Sequence, residues 1–122
     1  MNTTGIILFA HGSRDPLWKL PIEAVAQRIR ERNIHTLVSC AYLELTTPDL
    51  AQCTREMIEA GIQHVRILPL FLGVGRHARE DLPVLVRDLQ AQHPEVRFEL
   101  QAAVGEHPML IDTMAQIALN QV

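Results

Sequence analysis

With 122 residues, 48% of them apolar and 20% charged, the chain is the size of one ordinary domain and carries enough apolar side chains for a core. That excludes a multidomain machine and a disordered chain. Its net charge of −3, from 11 Lys plus Arg against 14 Asp plus Glu without a basic block, excludes the dense cationic footprint that nucleic-acid binding needs.

The longest apolar runs, Ile6 to Ala10 and Ile67 to Leu72, fall far short of the roughly 20 residues that span a bilayer, so no membrane segment is expected. No basic stretch precedes the first apolar run and no small-residue cleavage site follows it, which predicts a cytoplasmic protein. Cys40 and Cys53 lack C-x-x-C spacing and read as buried strand and helix residues, not as a disulfide or a metal clip.

In chain order, Gly5 to Ala10 is a continuous apolar run, the pattern of a parallel strand covered on both faces, and it stops at His11-Gly12-Ser13. Pro16 to Arg32 is amphipathic, with Pro21 predicting a late start or a kink. A second strand, His35 to Tyr42, runs into Leu43-Glu44-Leu45, and Thr46-Thr47-Pro48 supplies a cap and a first-turn proline for a helix carrying Leu50, Cys53, Met57 and Ile58. Gly61 closes that helix, and His64 to Leu70 is a third strand. The long connection Phe71 to Glu80 ends where Asp81 caps a helix bearing Leu82, Leu85, Val86 and Leu89. Val96 to Ala103 gives a fourth strand, and Pro108 opens a last helix with Leu110, Ile111, Met114, Ile117 and Ala118.

This alternation predicts one α/β domain over residues 1–122, a four-stranded parallel sheet of order 2-1-3-4 with helices on both faces. Strands one and three then flank the switch point, where open α/β sheets bind ligands beyond the carboxyl ends of their strands. His11 follows strand one, His77 lies in the loop after strand three, and Glu44 ends strand two. Two imidazoles and a carboxylate suit a borderline divalent ion and leave coordination positions open, while imidazole is also the side chain best suited to proton transfer near neutrality. The plainer alternatives are turn-capping histidines and a solvated loop carboxylate. His35, His64 and His93 are expected at the surface, and His107 is expected in a turn.

Around the two histidines stand Arg14, Arg76 and Arg79, with Ser13 and Gly75 in glycine-containing turns, a set able to hold carboxylate or phosphate locally on an acidic chain. Pairing of these arginines with Asp15, Glu80 or Asp81 is the competing reading. The glycines fit neither a dinucleotide fingerprint nor a P-loop, so no organic cofactor is expected.

Ala10-His11-Gly12-Ser13-Arg14-Asp15-Pro16, then Ala41-Tyr42-Leu43-Glu44 with Pro48-Asp49-Leu50, then Leu68 to Leu72 with Gly75, His77 and Asp81-Leu82-Pro83, and finally Gly105-x-His107-Pro108, resemble the short CbiX-type sirohydrochlorin chelatases. The resemblance implies the class II chelatase fold and insertion of a divalent metal, cobalt first and Fe²⁺ or Ni²⁺ next, into sirohydrochlorin for cobalamin or sirohaem. It implies metal-binding and catalytic roles for His11 and His77, with Glu44 as the acidic ligand. Leu43, Leu45, Phe71 and Leu72 are either an apolar wall for the macrocycle or core. Larger chelatases of this resemblance have two such units in one chain, so a homodimer is expected here. A phosphohistidine-forming hydrolase is disfavoured because Ala10 stands where such enzymes place arginine. A non-catalytic metal or tetrapyrrole carrier using the same pocket is the other alternative.

Overall fold

The computed structural model describes residues 3–121 and is built around β1 (Thr4–Ala10), which lies between β2 (Leu37–Tyr42) and β3 (His64–Pro69). With β4 (Arg97–Leu100) beyond β3, the sheet has the order β2-β1-β3-β4 and every neighbouring pair is parallel, as the alternating pattern predicts. Ile7 and Phe9 point to one face of β1 and Leu8 to the other, and each is at most 1% exposed, so the uninterrupted apolar run reflects burial from two sides. Ala10 sits opposite Tyr42, and Phe9 opposite Pro69, which brings the carboxyl ends of β2, β1 and β3 level.

On the Ile7 and Phe9 face pack α2 (Leu50–Glu59), through Leu50, Cys53 and Met57, and α3 (Arg76–Gln92), through Leu82 and Leu89. On the Leu8 face packs α1 (Leu20–Arg32), through Ala26, Ile22 and Ile29. Helix α1 begins four residues later than Pro16 because Pro21, with no N–H to give, is accommodated in its first turn. Helix α2 is capped by Asp49, whose carboxylate accepts from Gln52 N at 2.8 Å, and not by a threonine; Pro48 lies before the cap. Gly61, at φ 92°, follows its end as expected.

Helix α3 departs further from expectation. It starts at Arg76, with Gly75 as its cap, so Asp81 is an interior residue and Pro83 stands inside the helix. Pro83 cannot donate to the Arg79 carbonyl, but burial of Leu82 and Leu89, with Ala78 and Leu85 packed against the same cluster, offsets one lost bond. Strand β4 is shorter than Val96 to Ala103, since its pairing with β3 ends at Leu100. A 3-10 turn (Val104–Glu106) leads into α4 (Pro108–Ala118), the last helix expected from Pro108 onward; none of its residues is buried. No helix among the described residues is long and apolar enough to cross a membrane.

The loops beyond the strands are joined by backbone. Leu43 N donates to Ala10 O and Glu44 N to His11 O, tying the β2 exit to the β1 exit, while Gly105 N donates to Phe71 O, tying the β4 exit to the β3 exit. Both joints need glycine. A Cβ on Gly12, which has φ 102°, would lie 1.7 Å from Glu44 O, and one on Gly105 would lie 1.8 Å from Leu72 O. Thr46 completes the first joint: its hydroxyl donates to Ser13 O at 2.7 Å and accepts from Ser13 N at 3.0 Å. To reach that position the chain turns sharply at Leu45, with φ 65° and Thr46 N donating to Glu44 O at 2.8 Å.

The outer strand β2 also has its open side occupied. Arg30 donates to Val38 O at 3.2 Å, and the Cys53 thiol reaches Cys40 O at 3.5 Å. Both cysteines are free, Cys53 buried and Cys40 half-buried, as their sequence context predicts. Burial pushes the Cys53 thiol up to about 12 and the Tyr42 phenol up to about 12, and it raises the Cys40 thiol as well.

Two predictions follow from these contacts. Gly12→Ala and Gly105→Ala each destabilise by about 2–4 kcal/mol in urea unfolding, while Gly73→Ala, whose Cβ meets nothing within 4 Å, stays within about 0.5 kcal/mol of the parent. In the second, the unfolded chain loses the Cys53 proton near the ordinary thiol value of 9.0, whereas the folded chain holds it to about 12. The contribution is therefore complete below pH 9 and lost as pH rises toward 12. Unfolding midpoints should fall across that window, and Cys53 should resist iodoacetamide at pH 8 until the protein is denatured.

Candidate active site

His11 is the first residue past β1 and stands on the joint just described, since its carbonyl accepts from Glu44 N at 3.0 Å. Its ring lies over Phe71, with centroids 4.4 Å apart and planes inclined by 35°. Phe71 is itself buried and packs against Phe9 at 6.4 Å, so the core of the sheet supports one side of the imidazole while the other side faces solvent. A ring fixed in this way can present a nitrogen outward without first giving up rotamer freedom.

Glu44 is exposed on the neighbouring loop, at the same edge as His11. His77 reaches that edge from across the switch point. It lies in the first turn of α3, not in a free loop, and is exposed. No side chain caps this end of α3, so its first backbone donors face outward together with the positive end of the helix dipole. Among the described residues, no three His, Cys, Asp or Glu side chains come close enough to hold a metal ion in the single chain. The structure thus brings the predicted trio to one edge without closing it into a coordination shell.

The cationic and turn residues divide into two groups. Arg76 pairs with Glu80 at 3.2 Å, an exposed i,i+4 pair of small energetic weight. Arg14 and Arg79 are exposed and make no ion pair among the described residues, which leaves them available to an anion. Ser13 uses its backbone groups on Thr46 and accepts from Asp15 N at 3.1 Å through its hydroxyl, so it organises the loop that carries Arg14. Gly75 caps α3 and so sets where His77 begins.

The apolar candidates separate as well. Phe71 belongs to the core at 3% exposure, whereas Leu43, Leu45 and Leu72 are 42, 55 and 66% exposed and form an apolar rim around the polar groups. Of the other histidines, His35 is exposed as expected, and His107 is the cap of α4, its Nδ1 accepting from Met109 N at 3.1 Å. His64 differs from expectation. It is half-buried, with Nε2 3.2 Å from Glu99, because β3 is an inner strand and β4 covers its flank; His93 is half-buried beside Phe98. Thr46 and the support of His11 by Phe71 were not legible in the sequence, since both depend on which loops the sheet order brings together.

The chain was compared with known proteins. It is 29% identical over 113 residues to a chloroplastic sirohydrochlorin ferrochelatase of Arabidopsis thaliana, covering 93% of this chain and 50% of that protein. It is 35% identical over 81 residues to a sirohydrochlorin cobaltochelatase of Methanococcus maripaludis, covering 66% of this chain and 56% of that one. The chain thus spans about half the length of these curated relatives. Among solved structures, a cobalamin (vitamin B12) biosynthesis CbiX protein from Marinobacter aquaeolei superposes with a TM-score of 0.83 at 31% identity, over 97% of this chain and 96% of that one. The sequence profile of the family described as CbiX matches residues 5–120. A match of that extent spans nearly the whole fold, and the chain therefore belongs to the CbiX family.

Proposed function

We propose that this chain is a sirohydrochlorin chelatase, formally a lyase, which inserts a divalent metal ion into the macrocycle, with cobalt the first choice and Fe²⁺ or Ni²⁺ the next. The observation that carries the reading is the placement of His11, held on Phe71, at the same sheet edge as Glu44 and the His77 turn of α3. The names of the relatives, one a cobaltochelatase and one a ferrochelatase, support the substrate class and leave both ions in play.

Insertion requires an ion to exchange its water ligands for ring nitrogens while two pyrrole N–H protons depart. Imidazole and carboxylate ligands suit all three ions. His11 and His77 hold the incoming ion on one face of the ring, with Glu44 as the third ligand, and one of the three takes up a proton as the metal enters. These side chains stand apart in the single chain, so the proposal requires them to converge once the macrocycle is in place. A metal that is cargo has to leave, and a permanently assembled trio would retain it. Arg14 and Arg79, with the outward amides of the first turn of α3, engage the peripheral carboxylates, while Ser13, Gly75 and Arg76 shape the turns that present them. The exposed Leu43, Leu45 and Leu72 contact the apolar body of the ring. The reading includes one chelatase-like unit over residues 1–122, a homodimer that supplies the second half of the architecture, a cytoplasmic location and no organic cofactor.

The test is to mix the protein with sirohydrochlorin and, in parallel, Co²⁺, Fe²⁺ or Ni²⁺, and to follow the absorption spectrum. Many equivalents of metallated product per chain are expected, and His11→Ala and His77→Ala should each lower the catalysed rate by about 100-fold or more with unchanged circular dichroism. Wild-type rates in either folded variant, or binding that stops at one equivalent, would sink the proposal.

A further inference from the structure

Pro83 is an anomaly that packing does not explain. It stands in the interior of α3, where it has no N–H to return to Arg79 O and its ring crowds the preceding turn. It is exposed, so the ring buries little apolar surface that would offset the loss. Leu82 and Leu89 hold the helix to the core whichever residue occupies position 83. What a proline does bring to a helix interior is a joint, since sharp bends concentrate where the ladder of backbone bonds is broken.

The two sides of this joint are held unequally. After Pro83, the helix is fixed by Leu85, Val86 and Leu89. Across residues 76–81 only Ala78 is even partly buried, and Arg76, His77, Arg79, Glu80 and Asp81 are all exposed. The chain enters that segment through Gly73 and Gly75, where an added Cβ would meet nothing within 4 Å, so no neighbour wedges the entrance. Helix α3 meets the sheet chiefly at β4, the strand farthest from the Glu44 loop. Between α3 and the β2 exit lies an open cavity of about 180 Å³, with Leu85 on one side and Phe9, Tyr42 and Leu43 on the other. His77 thus stands on a short, weakly tethered segment with free space toward the loop that carries Glu44.

We propose that Pro83 is a positioning residue, the hinge about which residues 76–81 swing toward the β2 exit so that His77 reaches His11 and Glu44. This rests on the chelatase reading above and supplies the convergence which that reading requires. The driving contact is Arg79. It rides on the swinging segment, while Arg14 stands on the β1 exit loop, and neither makes an ion pair among the described residues. A ligand with carboxylates around its rim engages both arginines best when they draw together, and that difference in binding shifts the segment. His77 moves with Arg79. The metal ligands therefore assemble around a seated ring and separate again once it leaves.

The decisive variant is Pro83→Ala, which restores the N–H and stiffens the joint. In the full chain it should raise the urea midpoint, lower kcat by about 10-fold or more and raise KM for sirohydrochlorin by no more than about threefold. A merely structural proline would move stability and kcat in the same direction. Pro83→Gly, which restores the N–H but bends easily, should bring kcat back to within about threefold of the parent. Spin labels at Gln52→Cys on α2 and Asp81→Cys on α3 read the motion directly, in chains that carry Cys40→Ser and are diluted with unlabelled protein. Saturating metal-free sirohydrochlorin should draw the labels together by about 3 Å or more, and should not do so with Pro83→Ala. A Pro83→Ala chain that works at the parent rate, a midpoint that falls with kcat, a Pro83→Gly chain no faster than Pro83→Ala, or label distances unmoved by sirohydrochlorin would each overturn the hinge and leave the chelatase standing. A parent chain that gives no metallated product in the spectral assay would remove the chelatase reading, and the hinge with it.

Discussion

The site depends on how closely two backbones can approach. Parallel strands end level at one edge of a sheet, but their exit loops diverge unless something joins them, and at two places here the join is a glycine whose missing Cβ leaves room for a neighbouring carbonyl. Gly12 admits Glu44 O, and Gly105 admits Leu72 O. The first contact fixes His11 relative to the Glu44 loop and the second fixes the β3 exit that leads to His77. Because both are van der Waals contacts with backbone, and not side-chain bonds, they cannot relax by a rotamer change. The strained Leu45 turn and the Thr46 hydroxyl are subsidiary to this constraint: they hold the loop where the glycine allows it to pass.

An acidic chain can attract an anion only by concentrating positive charge locally. The structure does so by dividing its arginines. Arg66 and Arg76 are matched with Glu99 and Glu80, Arg30 serves the β2 backbone, and Arg14 and Arg79, at the edge where the histidines stand, make no ion pair among the described residues. Together with the uncapped first turn of α3, these supply a positive field over a short range, which screening by salt confines to the neighbourhood of the site.

The central strand and the order of the sheet were legible because burial on two faces writes itself as an unbroken apolar run, and because right-handed crossovers leave few topologies for four alternating units. That His11, Glu44 and His77 lie at one edge follows from that order alone. Helix starts were less legible. Asp81 followed by Pro83 resembles a helix entrance locally, yet α3 begins five residues earlier because packing of Ala78 and Leu82 against the core outweighs the loss at Pro83. The separation of Phe71 from Leu72, core from rim, was not readable from adjacent apolar letters. Nor was the exposure of α4, since the period of an apolar face is the same whether its partner lies in the same chain or in another.

The treatment of the outer strands has one more consequence. A sheet with open edges can be extended by a further strand from another molecule, and repeated extension gives fibres. Here β4 is only four residues long and alternates Arg97 and Glu99 with apolar residues, while the outward carbonyls Val38 O and Cys40 O of β2 are already engaged by Arg30 and Cys53. Strand-by-strand growth is therefore disfavoured at both margins, and the apolar side chains that the last helix leaves exposed are not part of an open sheet edge.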